Sequence, residues 1–377
     1  MIGGALISEG GYGCIYHPDL IDNSEKYVSK VQLKNSFAYK NEIFISNTLK
    51  NIKGIKDFFG LVETSHSIDI GKLKDECSIT KKYKSNQFGL MKIEYVGKYN
   101  YQEYLLNLNK NPNALKNAFL YWIETYKRLL KGISILKDNN LVHFDLKDNN
   151  IIFNETKKIP IIIDFGLSIP LDNIMGNLEN YFYVYAPDYY YWPLEVHYLN
   201  FIINKSSKPT NDDIEVMANL YVNGNTVLQE NFSTSFQKKY ENECLTTLKT
   251  YQKMNDVEVI NYILKSATTW DNYSLSILFL KYLKIFNPSG FVKNSFISYF
   301  TSLLLKNIHP NPKKRDEAEK TLEKFEFFFY DEKINNTKNF LEILENLIII
   351  HEEINIALKK DMKELKRVNR LIYTGSR

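Results

Sequence analysis

The segment His143-Phe144-Asp145-Leu146-Lys147-Asp148-Asn149-Asn150 sets polar groups into a loop between a long helical pattern and a short apolar strand. A loop this rich in acid, base and amide beside apolar runs restricts what can flank it. Asp145 can accept a proton from a hydroxyl. Asn150 can offer an oxygen to a hard cation. Fourteen residues later (164 − 150), Asp164-Phe165-Gly166 closes a second apolar strand that ends in Ile161-Ile162-Ile163. An aspartate after such a strand also fits a plain turn, but this order and spacing argue against that.

The rest of the chain divides around this feature. Residues 5–33 carry short apolar stretches broken by Gly10, Gly11 and Gly13 and then by Asp19 to Glu25, which fits two strands and a turn. Asn35 to Leu49 reads as a helix that Asn35 or Ser36 can cap. Leu61 to Ile70 and Phe88 to Val96 read as strands, so a small β-rich region ends near Gly97. Asn113 to Leu136 is amphipathic and helical. Strands follow at 151–153 and 159–163. Polar helical stretches lie after Pro209 and from Phe232 to Met254, and an apolar helix spans Trp270 to Phe286. Asn336 to Ile372 continues as one helical pattern, whose apolar stripe is interrupted by His351 and Asp361.

Two weaker signals precede the loop. The glycines of Gly10-Gly11-Tyr12-Gly13 let a backbone approach phosphate oxygens and present N–H groups to them. A glycine-rich hairpin turn explains them equally well. Lys30 ends a strand and Glu42 lies on the first helix. A lysine buried beside a phosphate needs such a carboxylate, whereas a surface lysine does not.

In order along residues 5–325, these segments resemble the protein kinase family of eukaryotic type, in a divergent form similar to kinases of large DNA viruses. Ser8-Glu9-Gly10-Gly11-Tyr12-Gly13-Cys14-Ile15 resembles G-x-G-x-x-G-x-V, and Val28-Ser29-Lys30 resembles V-A-x-K. HFDLKDNN resembles H-R-D-L-K-x-x-N, and D-F-G is intact. Tyr191-Trp192-Pro193-Leu194-Glu195 stands at Y-x-A-P-E, Trp270 to Ser276 at the D-x-W-S-x-G helix start, and Asn311 to Arg315 at the late D-P-x-x-R.

The resemblance implies an α+β, bilobal fold, with a small β-rich lobe over 1–97 and a large, mainly helical lobe over 98–330. It leaves a helical insertion at about 198–267 and a helical extension over 331–377. It implies a serine/threonine kinase that uses ATP and Mg2+. Lys30 would bind the α/β-phosphates and be held by Glu42. Asp145 would be the base, Lys147 would neutralise the γ-phosphoryl charge, and Asn150 and Asp164 would hold magnesium. Ser8, Gly10, Gly11 and Gly13 would cover the phosphates. Ile15, Val28 and Ile152 would sandwich the adenine, and Glu94 and Val96 would bond its edge, with Ile93 as gatekeeper. Glu195 and Arg315 would form a buried ion pair, and Asp271 would anchor the catalytic loop.

Some positions depart from the family pattern. Ser8 replaces the first loop glycine. Ser46 stands where an apolar residue packs on the D-F-G phenylalanine, Phe144 replaces the arginine before the catalytic aspartate, and Asp188 replaces a threonine. Glu195 to Asp271 spans 76 residues (271 − 195), far more than the usual link. A scaffold without catalysis and a small-molecule kinase are the competing readings. The full set of Lys30, Glu42, Asp145, Asn150 and Asp164 opposes the first, and Glu195, Arg315 and Asp271 oppose the second.

Bulk properties add little that is specific. The chain has 377 residues, is 44% hydrophobic, and carries a net charge of +4. That suits a nucleotide and a protein substrate without calling for nucleic acid. Three scattered cysteines imply neither a disulfide framework nor a zinc site, and a reducing, cytoplasmic setting (host cytoplasm or virion) follows as the expectation. The apolar runs are too short for a membrane span. The 336–372 pattern is expected to dock on its own chain as a monomer, with dimerisation through it as the alternative.

Overall fold

The computed structural model describes residues 4–10, 13–71, 77–108, 112–205, 208–286, 295–330, 343 and 351–373. Gly11 of the expected phosphate loop lies outside them, as does all of 336–350 except Ile343. The architecture is mixed α and β, with a small antiparallel sheet toward the N-terminus and helices thereafter. The chain forms two compact units: Met1–Asn100 with Asn150–Pro170, and Tyr101–Asn149 with Leu171–Arg377.

In the first unit, β1 (Ala5–Glu9), β2 (Gly13–His17), β3 (Tyr27–Leu33), β4 (Val62–Ile68) and β5 (Phe88–Glu94) form an antiparallel sheet in the order β1-β2-β3-β5-β4. Residues 5–33 hold three strands where the sequence pattern implied two. The glycine turn makes the first break. Asp19 makes the second, because its Oδ2 accepts from the amides of Ile21 and Asp22 (both 3.3 Å) and its Oδ1 from the Ser29 hydroxyl (2.5 Å). Gly13 has a steric reason: a Cβ there would stand 2.3 Å from the Val31 carbonyl oxygen.

Helix α1 (Phe37–Leu49) starts at Ser36, whose Oγ accepts from the Tyr39 amide at 3.2 Å. A short helix α2 (Ser78–Lys82) precedes β5. A hairpin of β6 (Ile151–Asn154) and β7 (Ile159–Ile162) completes the unit, Ile152 facing Ile161 in register. Cys14 and Cys77, both fully buried, are joined as a disulfide. This corrects the expectation from their scatter: the sheet brings together two cysteines that lie 63 residues apart.

The second unit is built on helices. Among the described residues these are α3 (Tyr101–Leu108), α4 (Pro112–Asp138), α5 (Leu178–Tyr181), α6 (Leu194–Lys205), α7 (Asn211–Asn223), α8 (Thr226–Asn231), α9 (Thr234–Gln252), α10 (Asp256–Leu264), α11 (Trp270–Phe286), α12 (Ser295–Asn307), α13 (Ala318–Tyr330) and α14 (His351–Tyr373). Nearly every residue of α11 is buried, so it is the central rod around which the others pack. Trp122 of α4 stacks on Phe279 of α11 with centroids 5.3 Å apart, and Phe300 of α12 meets Trp122 edge-on.

The long 195–271 link is not a surface decoration. Tyr221 of α7 bonds Tyr273 of α11 through their hydroxyls (2.5 Å), and the Tyr240 hydroxyl of α9 donates to the Ile308 carbonyl (2.5 Å). At the α7–α8 corner, a Cβ on Gly224 would stand 2.5 Å from the Cβ of Asp188. The apolar stripe of α14, Ile354, Leu358, Leu365, Val368 and Ile372, is buried within the same chain. Among the described residues, no helix is long and apolar enough to cross a membrane.

Candidate functional site

Three residues far apart in sequence meet in the first unit. Lys30 ends its side chain between two carboxylates: Nζ lies 2.7 Å from Glu42 Oε2 and 2.7 Å from Asp164 Oδ1. Strand β3 supplies the lysine, α1 the glutamate, and the turn after β7 the aspartate. Asp164 adopts a left-handed backbone (φ 66°), a conformation aspartate tolerates better than most residues. Its Oδ1 also faces the Gly166 amide at 3.4 Å.

Burial pulls the Lys30 ammonium down, but Asp164 and Glu42 outweigh it, so the group stays charged well above the ordinary lysine value. Burial pushes the Glu42 carboxyl up to about 7; Lys30 opposes this and the negative charge of Asp164 adds to it. One cation between the buried Glu42 and the partly exposed Asp164 leaves an excess negative charge, and Glu42 is the member that takes up a proton.

The linkage has a definite sign. Between its ordinary 4.5 and about 7, Glu42 holds a proton in the fold that it would lose on unfolding. Wild-type stability therefore falls as pH rises through that window, by a few kcal/mol at most. Glu42→Gln removes the dependence. The variant should gain in unfolding temperature relative to wild type between pH 5 and pH 8, as read by calorimetry. An unchanged difference at the two pH values would refute the Glu42 assignment.

The second unit holds the remaining charged residues of the loop. Asp145 is 4% exposed; its Oδ1 accepts from Lys147 Nζ at 2.7 Å and from the Tyr189 hydroxyl at 3.2 Å. The loop is fixed from α11: Asp271 accepts from the amides of His143 (2.6 Å, Oδ2) and Phe144 (2.9 Å, Oδ1). Burial holds the Asp271 carboxyl above its ordinary value, although His143 and the two amides favour the charged form.

Phe144 has φ 66°, and its carbonyl accepts from Trp192 Nε1 at 2.8 Å. Its ring stacks on Trp192 (4.9 Å, 18°) and meets the edge of Phe182. Phe144, the residue before Asp145, is thus held in an aromatic box. Glu195 and Arg315 form the buried ion pair, with Arg315 Nη1 3.4 Å from Oε2, Nη2 on Oε1, and Trp270 Nε1 3.0 Å from Oε1.

The other expected binding residues belong to the first unit. Ser8 pairs with Ile15 across the β1–β2 turn, and the Gly10 amide donates to the Gly13 carbonyl at 2.9 Å. Ile15 packs at the margin of an apolar cluster that includes Val28 and Ile93. Ile152 lies on β6, half-buried, and Gly97 passes close to it: a Cβ there would stand 3.1 Å from Ile152 Cγ2 and 2.7 Å from the Phe153 carbonyl. Glu94 ends β5, and Val96 follows it, half-buried. Asn150 is buried, and its carbonyl accepts from the Ile163 amide at 2.9 Å.

Sequence reasoning missed Asn41, and noticed Ser46 without foreseeing what it bonds. Asn41 Nδ2 donates to the carbonyls of Phe165 (3.4 Å), Gly166 (3.1 Å) and Ser168 (2.7 Å), tying α1 to the segment after Asp164. Its place beside Glu42 was the available signal. Ser46, which broke the expected apolar pattern, is 1% exposed, and its Oγ accepts from the Val62 amide at 3.0 Å. Phe165 packs instead on Phe59, edge to face at 5.5 Å. Tyr189, in contact with Asp145, was likewise not singled out from its tyrosine-rich segment. No protein-family model matches the chain, and no curated protein matches it.

Proposed function

We propose that the chain is an ATP-dependent serine/threonine protein kinase of bilobal fold, with a small lobe over 1–97 and a large lobe over 98–330. The observation that carries this reading is Lys30 bonded at once to Glu42 and Asp164. A bonded lysine–glutamate pair and an Asp-Phe-Gly aspartate are what phosphoryl transfer from ATP demands of a protein kinase. The order of motifs along residues 5–325 supports the same reading.

Bound MgATP supplies the phosphoryl group and the metal charge that offsets its developing negative charge. Asn150 and Asp164 offer oxygen donors only, which fits a hard cation. Lys30 would orient the α- and β-phosphates. Asp145 would orient and deprotonate the acceptor hydroxyl, while Lys147, already at 2.7 Å from it, would face the transferred group. Ile15, Val28 and Ile152 would enclose the base, with Glu94 and Val96 at its edge. A protein substrate would lie near the Glu195–Arg315 pair and the inserted helices. An ATP-dependent reaction fits the host cytoplasm or a virion.

The test is incubation with labelled ATP and a degenerate peptide array, followed by product analysis. Phosphoserine and phosphothreonine are expected, because a lysine two residues after the base leaves little room for a tyrosine ring. Mainly phosphotyrosine would refute the acceptor class, and no transfer at all would remove the kinase reading.

The aromatic box around Phe144 carries a second expectation. Phe144, Phe182, Trp192 and Trp270 order this region by packing, with no guanidinium to bind a loop phosphate. Phosphatase treatment should leave peptide phosphorylation unchanged within about twofold. A large loss, restored by rephosphorylation within 167–192, would show a phosphate switch.

A further inference from the structure

Asp361 broke the apolar stripe of the last helical pattern, and the second unit gives it a partner. Its Oδ2 lies 2.9 Å from Lys281 Nζ on α11, and it accepts from Gln102 Nε2 on α3. The same Gln102 nitrogen reaches the Leu358 carbonyl at 3.3 Å. Lys281 Nζ donates on its other side to Asp148 Oδ2, and the Tyr191 hydroxyl stands 3.3 Å from it. Asp148 also accepts from the Tyr282 hydroxyl at Oδ1 and, at 3.4 Å, from the Tyr191 hydroxyl at Oδ2. It lies three residues after Asp145 and has no solvent exposure.

Lys281 therefore bridges the loop that carries Asp145 and Lys147 to helix α14. The ammonium has three donors to satisfy and is buried, so each acceptor it loses leaves a donor without compensation. When α14 is docked, the Lys281–Asp148 pair lies in a water-poor site where attraction is strong. When α14 leaves, water reaches the pair and weakens it. We propose that Lys281 makes docking of α14 and order of the 143–149 loop a single equilibrium, with Asp361 as a positioning residue for phosphoryl transfer. The transfer clause rests on the kinase reading; the coupling does not.

The groups facing Asp361 are Lys281 and Tyr282 from α11, Asp148 from the loop, Tyr190 and Tyr191 from the segment before Glu195, and Lys360 from its own helix. Burial pushes the Asp361 carboxyl up to about 6, with Lys281 opposing and Asp148 adding. The docked helix thus holds a proton between 3.8 and about 6 that an undocked one releases. Docking weakens as pH rises through that window and is level above it.

Hydrogen exchange on the full chain, read over 143–149 and 351–373 at pH 4 to 8, tests this. Asp361→Lys sets two ammonium groups together. Both segments should exchange at least about tenfold faster, with kcat down about tenfold and KM for ATP within twofold. Asp361→Asn keeps an oxygen that can accept from Lys281. It should restore wild-type protection and kcat while flattening the pH dependence of 351–373. Asp148→Asn, a milder change, should move that dependence to lower pH, because the carboxylate that repels Asp361 is gone. Release of 351–373 with 143–149 unchanged would overturn the coupling. So would an Asp361→Asn variant as damaged as Asp361→Lys. Coupled exchange in a wild-type protein that transfers no phosphate would sustain the coupling and remove only the kinase reading.

Discussion

Asp145→Asn is expected to lower phosphoryl transfer by about 10²–10⁴-fold, the usual contribution of a positioned general base. The change is nearly isosteric. An amide oxygen can still accept from Lys147 Nζ and the Tyr189 hydroxyl, both of which bond Asp145 now, so the loop should keep its shape. What disappears is the capacity to take a proton. Nucleotide affinity, measured by calorimetric titration with MgATP, should stay within a few-fold of wild type while the labelled-ATP assay collapses. Near-normal phosphorylation by this variant would take the base role away from Asp145. Asp164→Asn should behave in the opposite way: it removes a charge from the Lys30 cluster and from the expected metal position, so MgATP binding itself should weaken.

Arg315→Met is expected to destabilise the second unit by about 3–5 kcal/mol, because Glu195 would remain charged and buried without its cation. Glu195 has no solvent exposure, and Trp270 Nε1 is the other donor placed on it. The unfolding temperature should drop by about 10 °C or more. Adding Glu195→Gln to Arg315→Met removes the stranded charge and should recover a good part of the loss. The double variant, compared by thermal melts with each single change, separates charge burial from packing. If Arg315→Met melts with wild type, the pair contributes no stability.

The parts of this arrangement that were legible in the sequence are those where residue type and spacing act together. An acid closing an apolar strand and a glutamate on the next helix could be singled out from the residues alone. The pairing of Lys30 with Glu42 came instead from the resemblance, Lys30 lies mid-strand rather than at a strand end, and its bond to Asp164 was not foreseen. Asp271 and the Glu195–Arg315 pair were named only through the resemblance to kinases; in the fold Asp271 does accept from the amides of His143 and Phe144, and Glu195 and Arg315 do pair. The polar, helix-compatible stretches after Pro209 and over 232–254 correspond to α7 and α9.

Other features depend on contacts that no local pattern encodes. The Asp19 turn made a third strand out of a stretch read as two. Asn41 and Ser46 act through single hydrogen bonds to backbone groups, which polar residues on a helix do not advertise. Lys281 and Asp148 are 133 residues apart, and Asp361 is a further 80 along the chain (361 − 281), so only the folded unit brings them together. The Cys14–Cys77 bond was misread from spacing because a sheet, not a spacing rule, sets which cysteines are neighbours.

The Gly224 corner bears on how this chain can be altered. Asp188 lies so close to it that alanine at 224 would collide with the Asp188 side chain and the Leu220 carbonyl. The Thr226 hydroxyl, just beyond, reaches the Tyr190 hydroxyl at 3.2 Å. Helices α7 and α8 and the segment before Glu195 are therefore mutually moulded surfaces, each the template for the other's backbone path. Trimming 198–267 to shorten the protein would uncover Tyr273 in the central helix and strip the support from Tyr190. A shortened variant would need a replacement wall at both places, and drift in either segment is constrained by the other.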